Sequence, residues 1–183
     1  MSIYEKIYEI AADQYGLITC EEAKEIGIPN IELVKLAHRG KLEHISHGLY
    51  RISKYIPTQF DVYAEAVKTV GSDAHLYGES VLAFHGLIPT NPTALLVSTS
   101  QRVRKTLPKH IRLIKMNAIE PTVYYEGIPS QSVANAIRAC IGSIMTERLI
   151  DAVNAAKRIG LITASEEISI KKEVKNDRQS SKQ

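Results

Sequence analysis

The chain has 183 residues, of which 44% are apolar and 23% are charged, and its formal net charge is +3. This composition is typical of a globular protein with one domain or two small ones. No apolar run approaches the roughly 20 residues that span a bilayer, the N-terminus has no secretory pattern, and only Cys20 and Cys140 carry thiols. These features predict a cytoplasmic protein and argue against membrane proteins, secreted disulfide scaffolds and zinc modules.

Charge is distributed unevenly along the chain. Residues 1–32 carry a net charge of −5, whereas residues 33–54 carry +4 together with three histidines. Residues 101–115 hold six basic side chains and no acidic one. Clustered positive charge favours a polyanionic partner.

The first elements in chain order are two helices separated by a short strand. Ile3, Ile7 and Ile10 have helical spacing, and Gly16 ends that helix. A short apolar strand follows, and then Thr19 begins a capping box that starts the second helix. Gly27-Ile28-Pro29 breaks the second helix after about six residues.

A third helix and a hairpin complete this first region. Asn30 is the predicted N-cap of the third helix, which turns Leu33 and Leu36 inward and ends at Gly40. Two short strands then turn near Ser46-His47-Gly48. Because this order is that of a winged helix-turn-helix, the sequence predicts such a domain over residues 1–55.

The rest of the chain predicts a small mixed domain over residues 58–170. It has a helix that begins near Thr58 and a short buried helix from Ser80 to His85. Three strands and two further helices follow, and Thr163 begins another capping box. The predicted fold class is therefore α+β, a winged helix-turn-helix followed by a mixed α/β domain.

Two segments have several interpretations. Residues 171–183 contain one large apolar residue, Val174, and are expected to form a disordered basic tail. The basic segment 101–115 is either a solvated connector or a second contact for nucleic acid or an acidic partner.

The third helix and the hairpin hold the candidate DNA-binding residues. The N-terminal residues of a recognition helix meet base edges in the major groove, so Asn30 is the best placed to read a base. Lys35 and Arg39 share the outward face with Glu32. The full set of candidates is Asn30, Lys35, His38, Arg39, Lys41, His47 and Arg51. The alternative is that the basic helix and hairpin are a surface of a protein-interaction domain.

The sequence offers little for catalysis, a cofactor or a metal. It has no glycine-rich phosphate loop, no His-Glu-x-x-His and no Cys-x-x-Cys. His75 and His85 lie among apolar residues and are interpreted as core histidines. Cys140 is interpreted as a packing residue, and the glutamates beside Cys20 raise the pKa of a thiol. We therefore expect no enzyme activity.

The residues described above resemble the N-terminal winged-helix domain of the AbiEi antitoxins. The resemblance is carried by Gly16-Leu17-Ile18-Thr19, Gly27-Ile28-Pro29, Arg39-Gly40-Lys41-Leu42 and His47-Gly48-Leu49-Tyr50-Arg51. In the second half it continues weakly through Ser80-Val81-Leu82-Ala83-Phe84-His85-Gly86-Leu87.

This resemblance implies a two-part protein from a type IV toxin–antitoxin system that acts in abortive infection. The first domain would bind inverted repeats in double-stranded DNA at its own promoter and repress transcription. The second would counteract a nucleotidyltransferase-like toxin encoded next to it. The alternatives are a protein-interaction module and an unrelated winged-helix regulator without an antitoxin role.

Overall fold

The computed structural model describes residues 1–89, 92–116 and 120–180. The fold is mixed α and β, as predicted, and divides into two compact units. Unit 1 contains residues 1–72 and 103–106, and unit 2 contains the rest of the chain.

Unit 1 has the winged helix-turn-helix order that the sequence predicts. Its strands form an antiparallel sheet in the order β1-β3-β2, and we call the β2–β3 hairpin the wing. Its helices and strands are α1 (Ile3–Ala12), β1 (Leu17–Thr19), α2 (Cys20–Glu25), α3 (Asn30–His38), β2 (Leu42–Ser46), β3 (Leu49–Ile52) and α4 (Asp61–Val70).

Local sequence signals explain where these elements begin and end. The Thr19 hydroxyl accepts from the Glu22 N–H at 3.1 Å, and the Glu22 carboxylate accepts from the Thr19 N–H at 2.8 Å. This is the predicted capping box. Gly16 has a φ of +70°, and a Cβ there would lie 2.6 Å from the Tyr55 ring. Only glycine tolerates both the conformation and the approach.

The core of unit 1 lies between its first three helices and its sheet. Every side chain in it is less than a tenth exposed, because each helix turns one apolar stripe inward. The core residues are Ile7, Ala11, Ile18, Ala23, Ile28, Leu33, Leu36, Leu42, Tyr50 and Ile52.

Helix α4 belongs to unit 1, which moves the domain boundary from the predicted residues 55–58 to the end of Ser72. Lys68 on α4 donates to the Glu22 carboxylate at 2.5 Å and to the Gln14 carboxamide at 2.6 Å. These contacts tie α4 to α2 and to the end of α1. The residues directly before α4 in the sequence do not reveal these contacts, because Glu22 and Gln14 lie 46 and 54 residues from Lys68.

Unit 2 is built on a five-stranded mixed sheet in the order β6-β5-β4-β8-β7. Neighbours β5 and β6 are parallel, as are β4 and β8, whereas β4–β5 and β7–β8 are antiparallel. The strands are β4 (His75–Leu76), β5 (Leu95–Thr99), β6 (Ile111–Lys115), β7 (Val123–Tyr125) and β8 (Ile128–Ser130). The helices are α5 (Glu79–Phe84), α6 (Val133–Ala139), α7 (Thr146–Arg158) and α8 (Ala164–Ser180).

Helix α8 corrects the predicted disorder from Lys171 onward, at least as far as the structure describes the chain. Ile170 and Val174 lie one helical turn apart and are 0% and 1% exposed. The Arg138 guanidinium of α6 also donates to the Glu173 carboxylate at 3.1 Å. Burial of two apolar side chains and this ion pair hold the segment as a helix. The last three residues lie outside the described part of the chain.

Candidate nucleic-acid interface

Helix α3 has one buried side and one exposed side. Leu33 and Leu36 are 0% and 8% exposed and pack into the core of unit 1. With 3.6 residues per turn, the side chains at other positions point away from the core. The exposed residues of α3 and its C-cap are Asn30, Ile31, Val34, Lys35, His38 and Arg39.

Asn30 is the first residue of α3. The sequence predicted it as the N-cap, but it does not cap the helix. Pro29 occupies the N-cap position with an extended backbone and no side-chain hydrogen bond. Because the carboxamide of Asn30 is exposed and makes no hydrogen bond with any described residue, it is available to a ligand at the start of the helix.

The charge of Lys35 is shared with a neighbour on the same helix. Its Nζ lies 2.7 Å from the Glu32 carboxylate, and the Lys35 side chain is 51% exposed. Exposed pairs of this kind are weak and exchange readily with another anion. The negative charge of Glu32 on the outward face of α3 is therefore balanced by Lys35 on the same helix.

The remaining predicted contacts lie at the C-terminal end of α3 and at the wing. His38 and Arg39 are exposed at the end of the helix, where the positive charge of Arg39 complements the helix dipole. Lys41 is exposed, with its Nζ 5.7 Å from the centre of the Tyr4 ring. His47 is exposed at the turn of the wing. The structure thus brings these side chains to one end of α3 and the adjoining hairpin.

Arg51 differs from the other predicted contacts, because it is held inside unit 1. Its guanidinium lies 3.2 Å from the Glu65 carboxylate and 3.9 Å from that of Asp61, and its side chain is 15% exposed. It also lies over the Tyr55 ring at 5.8 Å. Arg51 joins the wing to α4, and we therefore remove it from the candidate DNA contacts.

Ile31 and Val34 are exposed apolar residues of α3 for which the sequence analysis makes no prediction. They are 56% and 36% exposed and lie three residues apart on the outward side of α3. The signal is present in the sequence, since neither position fits the inward stripe of Leu33 and Leu36.

Glu22 is an acidic residue of α2 whose carboxylate is held by specific neighbours. Burial raises the pKa of Glu22, but hydrogen bonds from Lys68 and Thr19 outweigh it, so that the pKa is lowered overall. Glu22 is therefore a structural carboxylate that stays ionised while it caps α2 and binds α4.

The basic segment 101–115 runs from the end of β5 through β6. In the part of the chain that the structure describes, β6 lies at the edge of the sheet and pairs only with β5, and Arg112 and Lys115 are exposed on it. Among the described residues, none of the six cations of this segment makes an ion pair. The positive charge of this segment is therefore not neutralised by an ion pair with any described residue.

The histidines and thiols singled out from the sequence lie in apolar surroundings. Burial lowers the pKa of His85 to about 4, and its ring packs edge-on against Tyr125 at 4.4 Å. His75 is 6% exposed on β4. Burial, followed by the charge of Glu79, raises the pKa of Cys140 to about 12. Burial and Glu21 also raise the pKa of Cys20.

No helix in the described ranges is long and apolar enough to cross a membrane. Within the same ranges, no three His, Cys, Asp or Glu side chains are grouped as metal ligands would be. The absence of catalysis, a metal and a cofactor stays a prediction.

Comparison with known protein families finds a match to the N-terminal region of the chain. Residues 5–53 match the family described as "Transcriptional regulator, AbiEi antitoxin", which confirms the predicted resemblance for the winged domain. No curated protein sequence matches the chain. Among solved structures, the RV2827C protein from Mycobacterium tuberculosis is similar at 11% identity and a TM-score of 0.37, over 93% of this chain and 81% of that one.

Proposed function

Because residues 5–53 have the sequence of an AbiEi-type transcriptional regulator, we propose that the protein is a DNA-binding autorepressor and an antitoxin. One observation carries the proposal: the matched segment is a winged helix-turn-helix whose third helix is exposed along its outward side. Unlike Arg51, the cations on the outward side of α3 are not paired with a buried carboxylate.

The geometry supports the usual division of labour in such a domain. Helix α3 would enter the major groove, with Asn30 at its N-terminal end facing base edges. Lys35, His38 and Arg39 would lie along the phosphates, and Lys41 and His47 would contact the backbone beside the wing. Phosphate contacts fix position and most of the affinity, whereas base contacts fix the sequence.

The number of free cations predicts the salt dependence of binding. With Arg51 engaged inside unit 1, the fixed charges on this surface are Lys35, Arg39 and Lys41. Three phosphate contacts give a slope of about −2.7 in a plot of log affinity against log salt concentration.

The test is binding of the full chain to the duplex upstream of its own gene, with a shuffled duplex as control, at about 150 mM salt. We expect a preference on the order of 10³ or more for the native duplex. The double variant Lys35→Ala with Arg39→Ala should lower the affinity and reduce the slope by about 1.8.

A matched control variant removes the same charge elsewhere in unit 1. Lys6→Ala with Lys24→Ala changes two exposed lysines of α1 and α2 and should keep the unchanged protein's preference for the native over the shuffled duplex. Equal binding of the native and shuffled duplexes would contradict sequence-specific repression. A protein-interaction module would then be the better interpretation.

The antitoxin role is proposed from the family match and has a separate test. The full chain would be expressed from an unrelated promoter together with the nucleotidyltransferase-like protein encoded next to it, and growth would be measured. If neutralisation does not depend on operator binding, the variant with Lys35→Ala and Arg39→Ala should protect as well as the unchanged chain does. Because the native operator is absent from this test, failure of the unchanged chain to protect would mean that repression alone accounts for the antitoxin effect. Loss of protection only in the variant would mean that Lys35 and Arg39 take part in neutralisation.

A further inference from the structure

The middle of the outward side of α3 is apolar rather than charged. In an α-helix, residues three and four apart share a face, so Ile31 lies beside both Val34 and Lys35. Ile31 and Val34 are 56% and 36% exposed, whereas the inward Leu33 is fully buried. A branched apolar pair is therefore held in water at the N-terminal half of the helix.

The cations on α3 flank this pair. Lys35 is drawn toward Glu32 at 2.7 Å, on the side away from Val34. His38 and Arg39 lie one or two turns further along, at the C-terminal end. The arrangement is an apolar patch with positive charge beside it, which fits a polyanion that also presents an apolar group.

The major groove presents one such group, the C5-methyl of thymine. Residues near the N-terminus of a recognition helix are those that reach base edges. Asn30 precedes the pair with an unused, exposed carboxamide, and a carboxamide can bind adenine through N6 and N7. The carboxamide suits adenine and the apolar pair suits thymine methyl groups, so these three side chains together suit A·T pairs.

We propose that Ile31 and Val34 read thymine methyl groups in the major groove. The operator would then present thymines where α3 enters, and the discrimination would come from buried apolar contact rather than from charge. This inference rests on the proposed DNA-binding function and names what the site recognises.

The test begins with a pool of random duplexes from which the full chain selects its preferred sequences. The selected duplexes are then made again with deoxyuridine in place of thymidine. This change keeps base pairing and hydrogen-bonding groups and removes only the methyl. We expect binding to weaken about fourfold for each contacted methyl, and about fifteenfold for two, in the uridine form.

The protein side of the test uses Ile31→Ala with Val34→Ala. Both side chains are exposed, and alanine favours a helix more than either residue, so α3 should form as before. The variant should bind the thymidine form less tightly and should no longer distinguish it from the uridine form. Ile56→Ala, at an isoleucine of unit 1 that is 82% exposed outside α3, is the control and should keep the full discrimination.

The outcomes separate this inference from the function on which it rests. If no sequence is enriched, specific DNA binding itself is contradicted. If a sequence is enriched but both forms bind equally, the methyl readout is wrong and the DNA-binding function stands. If the double variant keeps the preference for thymidine, other residues read the methyl groups.

Discussion

The two basic regions of the molecule differ in how their charges are held. On α3 and the wing, cations lie among specific neighbours: Lys35 beside Glu32, and Lys41 over Tyr4. In the basic segment 101–115, six cations have no ion-pair partner among the described residues. The segment has the greater charge density, whereas α3 holds its charges on a packed helix beside an exposed amide and two exposed apolar side chains.

This difference shows that charge density and recognition are separate properties. Unpaired cations on an edge strand attract any polyanion and also discourage pairing with another strand. A surface that discriminates needs amide and apolar groups at fixed positions, and a packed helix supplies them. We therefore expect sequence preference to follow α3 and nonspecific affinity to follow total charge.

The largest expected effect concerns Arg51. Its substitution tests whether a cation of the wing stabilises the fold or is available to a ligand. Arg51→Ala leaves the carboxylates of Asp61 and Glu65 without their partner in a partly buried site. We expect a loss of about 3 kcal/mol in the free energy of unfolding, measured by denaturant titration. Arg39→Ala, at an exposed position, should stay within about 0.5 kcal/mol.

The opposite pattern would restore the original assignment of Arg51. If Arg51→Ala unfolds like the unchanged protein but binds the native duplex more weakly, its guanidinium leaves the ion pair to contact DNA.

The second prediction compares the two basic regions directly. Asn30→Ala, at the residue of α3 proposed to face base edges, should lower the preference for the native over the shuffled duplex. Arg112→Ala with Lys115→Ala should leave that ratio unchanged, because two exposed cations on β6 attract both duplexes equally. The ratio of the two affinities is the measurement. A fall of the ratio in the β6 variant would mean that this strand takes part in sequence recognition.

The third prediction concerns pH and unit 2. His85 has a pKa of about 4 in the folded chain, below its ordinary value of 6.5, because burial disfavours the charged ring. The unfolded chain therefore takes up this proton first as the pH falls. The stabilising contribution of neutral His85 is complete above pH 6.5 and is lost progressively as the pH falls through 4.

The melting temperature measured between pH 7 and pH 4 tests this expectation. His85→Gln should flatten the decline over that range, whereas His110→Gln, at an exposed histidine of unit 2, should not. Identical profiles for all three proteins would show that His85 does not contribute to the pH dependence.

The smallest expected effect compares two capping boxes of the same chemistry. Thr19 and Glu22 form a partly buried box that also binds Lys68, whereas Thr163 and Glu166 form an exposed one. We expect Thr19→Ala to cost about 1.5 kcal/mol and Thr163→Ala about 0.5 kcal/mol in chemical denaturation. Equal costs would mean that the contact with α4 adds nothing to the first box.

Features set by neighbouring residues could be predicted from the sequence. The Thr19 capping box, the turn between the two strands of the wing and the end of α3 near Gly40 each depend on a few adjacent residues. Their positions agree with the structure to within about a residue. The winged helix-turn-helix was predictable because these local signals follow one another in a recognisable order.

Features set by distant contacts could not be predicted. Arg51 looks like a free wing cation until α4 brings Asp61 and Glu65 beside it. In the same way, Ile170 and Val174 have helical spacing, but their surroundings in sequence are polar, and only packing in unit 2 makes them core residues. The exposure of Ile31 on α3 does not depend on distant contacts, and it could have been predicted from helical geometry.

The two cysteines differ in how far their units shield them. Cys140 of unit 2 is buried and Cys20 of unit 1 is partly exposed, and both are free thiols with raised pKa values. Because the thiolate is the reacting form, alkylation of the buried Cys140 at neutral pH is slow while unit 2 is closed. The modification rate at Cys140, followed by peptide mass, reports how often unit 2 opens, and Cys20 in the same sample serves as the accessible reference. The chain thus allows the opening of unit 2 to be timed without any added probe.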